Sequence, residues 1–96
     1  MARMDTDREL TRIRAGIDQT DDALVALLAR RRTLALELAK IKKVVGLPIY
    51  DRKREAALLE RVKALGARSG VDEEFAEVLF RLIMMNSKEV QQRASE

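Results

Sequence analysis

Apolar residues recur along the first half of the chain in alternating steps of three and four. The series is Leu10, Ile13, Ile17, Thr20, Leu24, Leu27, Arg31, Leu34, Leu38, Ile41 and Val45. That spacing is a heptad seam and predicts one long helix with a continuous contact stripe. Gly16 is the one Gly or Pro on the way, at a cost of about 1 kcal/mol. A helix of this length spans roughly 50–60 Å at ~1.5 Å per residue. A single domain of this size is only about 25–30 Å across, so its own chain is too small to wrap the stripe. Two seam positions are polar, Thr20 and Arg31. A guanidinium on a buried stripe needs an anion to meet it, which makes Arg31 a candidate binding residue.

Local signals set the remaining elements. Thr6-Asp7-Arg8-Glu9 fits a capping box, which places the start of the first helix near residue 7. Gly46-Leu47-Pro48 ends it, with Gly46 suited to a left-handed cap and Pro48 unable to continue a helix. Ile49-Tyr50 leads into a second helix, with Asp51 near its start and an apolar stripe of Leu58, Leu59, Val62 and Leu65. Gly66 and Gly70 bracket the next turn. Asp72 caps a third helix, supported by Glu73 and Glu74, with Phe75, Val78, Leu79, Leu82, Ile83 and Val90 on its apolar face. Residues Arg93 to Glu96 are expected to fray. The expectation is one all-α domain over 1–96, with helices at about 7–45, 50–65 and 72–92. Neither short helix covers the long one. The economical arrangement is an intertwined homodimeric helical bundle in which two chains share one core.

Composition narrows the chemistry. The 96 residues contain no Cys and no His, so disulfides, thiolate nucleophiles, histidine bases and the common zinc sites are absent. Any chemistry must use Arg, Lys, Asp, Glu, Ser, Gln or Tyr. No apolar run approaches the ~18 residues of a membrane span, and the charged N-terminus is unlike a signal peptide. A soluble, cytoplasmic protein is expected. The net charge is only +3, with acids interspersed throughout, so the charge points to a small anionic ligand more than to nucleic acid.

Helical phase groups several polar residues. Arg31 and Lys42 are about 1100° apart along the first helix, three turns and a further ~20°, and face the same way. Arg54 and Glu55 lie in the first turn of the second helix, and Ser87 and Gln91 are one turn apart on the third. Together they suit a small, doubly anionic molecule carrying a hydroxyl. Arg14 stands about 25 Å from Arg31 along the same helix and ~100° off in phase. In an antiparallel dimer, however, Arg14 of the partner subunit is compatible with the region around Arg31. Each residue also has a structural reading. Lys42 answers a helix dipole, Arg54 and Glu55 form a solvated pair, and Ser87 and Gln91 are surface polar groups. Only Arg31, on the seam, resists such a reading. Spacing alone therefore ends at a dimeric helical protein with an anion pocket.

The motifs taken together resemble the all-helical, bacterial-type chorismate mutase family. They are Ile13-Arg14-x-x-Ile17 with Asp21, Leu27-Leu28-Ala29-x-Arg31, then Lys42-x-x-x-Gly46-x-Pro48-Ile49-x-Asp51-x-x-Arg54-Glu55, and Phe80 to Ile83 followed by Ser87-x-x-x-Gln91. The match runs from about Leu10 to Gln92, and the segment around Lys42 to Glu55 is its specific part. Arg30 stands where the family commonly has an acid, and Met84-Met85-Asn86 replaces a more aliphatic and acidic run. The resemblance implies an intertwined homodimer with shared active sites. It implies an isomerase that converts chorismate to prephenate in phenylalanine and tyrosine biosynthesis, with no cofactor and no metal. It assigns Lys42 and Gln91 to the ether oxygen, as the catalytic pair. Arg14 and Arg31 would hold the carboxylates, with Arg54 and Ser87 assisting, and Glu55 and the backbone at Asp51 would meet the ring hydroxyl. A complex with another pathway enzyme is compatible with it. The alternatives are a 4-amino-4-deoxychorismate mutase or an isochorismate-pyruvate lyase on the same fold, or a non-catalytic helical dimer that binds an anionic partner through Arg30, Arg32, Lys40 and Lys43.

Overall fold

A computed structural model describes residues 2–96. Helix α1 runs Ala2–Val45, α2 Arg52–Ser69 and α3 Glu73–Ser95. There is no strand among the described residues, and no helix among them is long and apolar enough to cross a membrane. The expected start of the first helix is displaced. Thr6 lies inside α1, which is already helical at Ala2, because Ala2 to Asp5 contains no helix breaker and Asp5 supplies an acidic group in the first turn. The chain divides into two compact units, 1–33 and 34–96.

The described part of the first unit is helical throughout. Its polar face carries a Glu9–Arg12 pair at 2.8 Å. The hydroxyl of Thr20, one of the polar seam positions, donates to the carbonyl of Gly16 at 2.8 Å. That bond satisfies the hydroxyl within its own helix, so Thr20 makes no demand on whatever covers the seam. Leu10, Ile13, Ile17, Leu24 and Leu27 are all exposed, while Arg31 is half-buried.

The second unit contains the end of α1, all of α2 and all of α3. Gly46 takes φ 75°, and the Leu47 N–H donates to the carbonyl of Lys42 at 2.9 Å to close the end of α1. Asp51 is the N-cap of α2, its carboxylate accepting from the Arg54 N–H at 3.0 Å. Asp72 does the same for α3, accepting from the Phe75 N–H at 3.1 Å.

The turn between α2 and α3 is tighter than expected. Gly66 belongs to α2, which continues to Ser69. Of the two, only Gly70 adopts the left-handed conformation, at φ 78°. Gly66 is instead a point of close approach: a Cβ there would stand 3.3 Å from the Val71 carbonyl oxygen and 3.4 Å from the Ala76 Cβ. The Gly66 carbonyl accepts from the Val71 N–H at 2.8 Å, which folds the chain back into α3. At its other end α3 stays helical to Ser95, three residues beyond the expected boundary, because the Ser95 hydroxyl donates to the carbonyl of Gln91 and Arg93 pairs with Glu89.

The core of this unit is thin. Leu58, Leu59 and Val62 of α2 meet Met84 of α3, with Phe80 packed alongside. Ala35 and Ala39 are the buried residues of α1. Leu65 of the expected α2 stripe is exposed, as are Phe75, Val78, Leu79 and Leu82 of the expected α3 face. The buried positions of α3 are Ala76, Met84, Val90 and Gln91. α3 is apolar on more than one side, so periodicity identifies the helix without choosing the side that meets α2. On α1, Ala35 and Ala39 are covered within the chain, one residue round from the seam residues Leu34, Leu38 and Ile41, which remain exposed.

Candidate active site

Lys42 sits in the last turn of α1, one turn beyond the buried Ala39. Its side chain is half-buried and reaches past the helix end. The ammonium donates to the Ile49 carbonyl at 2.9 Å and to Gln91 Oε1 at 3.3 Å. Gln91 is only 5% exposed, the one buried polar residue among those described. Its reading as a surface polar group therefore fails, and Lys42 does more than face the helix dipole. The arrangement joins the end of α1, the connecting segment and α3 through one cation. An ammonium has three N–H donors, so two protein acceptors leave a third for a ligand. With Oε1 turned to Lys42, the Gln91 NH2 is the other donor of the pair.

Glu55 lies one turn into α2 and is half-buried. It does not pair with Arg54, the partner expected of a solvated pair. Its Oε1 stands 3.2 Å from Nζ of Lys88 on α3, and its Oε2 is buried with no hydrogen-bond partner. Lys88 Nζ also lies 4.6 Å from the centroid of the Tyr50 ring. Arg52 approaches the same ring at 6.0 Å.

The remaining expected residues fall as follows. Asp51 uses its carboxylate as the cap of α2. Arg54 is exposed at the start of that helix, and Ser87 is half-buried on α3, one turn before Gln91. Arg14, exposed, and Arg31, half-buried, belong to the first unit. The second unit thus brings Lys42 together with Gln91, and Glu55 together with a lysine that spacing did not single out. Lys88 follows Ser87 directly and is ~100° round the helix from it. Its role depends on the register of α3 against α2, which no pattern within one helix reports. Tyr50, in the connection before Asp51, carries the same lesson.

What the second unit assembles is a charged, donor-rich cluster on an all-helical frame: a fixed ammonium, a buried amide and an oriented carboxylate. The profile of the chorismate mutase type II family matches residues 13–92. The chain is 33% identical over 88 residues to the chorismate mutase of Methanocaldococcus jannaschii, covering 92% of this chain and 89% of that protein. It is 39% identical over 89 residues to the bifunctional chorismate mutase/prephenate dehydratase of Escherichia coli, 93% of this chain but 23% of that protein. The T-protein of Enterobacter agglomerans is 39% identical over 79 residues, and the chain spans 21% of its length. The chain belongs to the chorismate mutase type II family.

Proposed function

We propose that this protein is a chorismate mutase, converting chorismate to prephenate by an intramolecular Claisen rearrangement. The observation that carries the reading is the Lys42 ammonium held against the buried Gln91 amide, in a chain of this family. In the rearrangement the ether C–O bond breaks while a C–C bond forms across the molecule. Six electrons move in a ring, and no proton is transferred. The protein therefore needs no base and no nucleophile, in keeping with a chain that has no His and no Cys.

Two tasks remain. The first is to fold the flexible substrate so that the bond-forming carbons meet, which is a matter of orientation. Arg14 and Arg31 are assigned the two carboxylates, and Arg54 and Ser87 a supporting part in binding them. Glu55 and the backbone at Asp51 take the ring hydroxyl. The second task is to stabilise the negative charge that develops on the ether oxygen as its bond to carbon lengthens. The third N–H of Lys42 and the amide of Gln91 point their donors there. Both bonds strengthen as the charge grows, so they favour the transition state over the ground state.

The reading includes a homodimer with shared sites. It is supported by the seam left bare in the single chain, where Leu27 is 60% exposed and Ile41 59%. Apolar stripes of this length on soluble proteins mark association surfaces. Arg14 is about 25 Å from Arg31 along one continuous helix, so Arg14 of the partner subunit is assigned to the site of the first chain. A cytoplasmic enzyme acting on a soluble dicarboxylate completes the reading.

The test is direct. Purified protein should abolish the absorbance of chorismate with prephenate as the sole product. It should turn over isochorismate and 4-amino-4-deoxychorismate far more slowly. Chorismate left unchanged by the folded protein would overturn the proposal.

A further inference from the structure

Lys88 has no part in the function proposed above, yet three elements converge on it. Its ammonium is 3.2 Å from Glu55 Oε1 of α2 and 4.6 Å from the ring centroid of Tyr50 in the α1–α2 connection, while its own backbone belongs to α3. Both members of the ion pair are partly withdrawn from water, at 32% side-chain exposure for Lys88 and 22% for Glu55. A cation held between a carboxylate and an aromatic face has a defined position, unlike a solvated lysine that samples many rotamers. The second oxygen of Glu55 is buried and has no donor. A buried acceptor in that condition is costly unless something donates to it, and Lys88 has already settled which of the two oxygens is left open.

We infer that Lys88 is a positioning residue that sets the site's preference for a neutral hydroxyl over an ammonium at Glu55. The inference rests on the chorismate mutase reading. The Glu55–Lys88 pair is internally balanced in charge. A hydroxyl donating to Oε2 adds no charge and completes the carboxylate. An ammonium at the same place would set two cations on one carboxylate, separated by the width of that group. Their mutual repulsion in a partly dehydrated site opposes binding. Without Lys88, Glu55 would be an unbalanced anion, free to rotate and suited to a cationic donor. The aromatic face of Tyr50 reinforces the arrangement by holding the ammonium on the Oε1 side.

The experiment compares two substrates that differ at this one group, chorismate and 4-amino-4-deoxychorismate, whose amine is protonated at neutral pH. The amino compound is followed as a substrate or, where it is not turned over, as a competitive inhibitor. The proteins are the parent, Lys88→Met and Lys88→Arg, each checked by circular dichroism and thermal melting. Lys88→Met is expected to raise KM for chorismate about fivefold, with a smaller change in kcat. It should also narrow the preference for the hydroxyl compound by roughly tenfold. Lys88→Arg, which keeps the charge and the ion pair, should restore most of both. Lys88→Met with the parent's KM and preference would overturn the inference while leaving the mutase reading intact, as would an equal narrowing in Lys88→Arg. A parent protein that consumes no chorismate would overturn both.

Discussion

Removing the Lys42 ammonium separates the chemical role of this residue from its structural one. In Lys42→Ala the donor to the ether oxygen disappears, and two protein acceptors lose their partner: the Ile49 carbonyl at 2.9 Å and Gln91 Oε1 at 3.3 Å. A charged donor aimed at developing negative charge is worth about 3–4 kcal/mol in the transition state. At ~1.4 kcal/mol per factor of ten, that predicts a fall in kcat of roughly 10²- to 10³-fold. The stability cost is smaller. Gln91 is buried and its orphaned oxygen bears a desolvation penalty, but Lys42 and Ile49 are only half-buried, so water can enter the space left by the side chain. A net loss of about 1–2 kcal/mol is expected, seen as a fall in Tm of about 5–10 °C. The assay is the initial rate of chorismate loss at saturating substrate, on protein shown by circular dichroism to be as helical as the parent. The loss should fall mainly on kcat, because the bond matters most when the oxygen carries charge. Turnover within tenfold of the parent in folded Lys42→Ala would refute the argument, since no other cation of the second unit stands against Gln91.

Other expectations follow from the same geometry and its proposed dimer. Gln91→Glu should be active near pH 5, where a protonated carboxyl still donates, and lose most of its rate by pH 8, where the ionised group repels the ether oxygen; equal activity at both values would contradict the donor role of Gln91. The protein should sediment as a dimer whose melting temperature rises with concentration, and a folded monomer at micromolar concentration would remove the basis for shared sites. Arg14→Ala and Lys42→Ala should each be inactive alone, but recover roughly a quarter of parental activity when unfolded together in equal amounts and refolded, because about half the dimers then hold one intact site. No recovery despite proven subunit exchange would exclude the crossed assignment of Arg14. Gly70→Ala should destabilise the fold by about 1–2 kcal/mol without touching the site's chemistry, since its φ of 78° strains any side chain while nothing stands within 4 Å of the added Cβ; unchanged thermal stability would refute that account.

The elements most legible in the sequence are those whose causes are local. Gly46 before Pro48, Asp51 at the start of α2 and Asp72 at the start of α3 each act on backbone groups within about one turn, so residue type and spacing suffice to place them. The same locality explains two misplacements. Thr6 and Glu9 resemble a cap, but Ala2 to Asp5 contains no helix breaker, and the chain is already helical at Ala2. Gly66 resembles a turn residue, but its missing Cβ serves the close approach of Val71 and Ala76, which are near it only once α3 has folded back.

Beyond the single turn, the sequence by itself determined the helix count, the long seam and, through the motif from Lys42 to Glu55, the family. Tertiary structure alone decided which stripe each helix buries and which side chains meet. Ala35 and Ala39 are covered while Leu34 and Leu38 are bare, Gln91 is buried against Lys42, and Glu55 turns from Arg54 to Lys88. The reason is physical. A helical repeat states which residues share a face, within one element. Contact between elements depends on their relative rotation and register, set by the sum of many weak packing interactions and written in no single repeat.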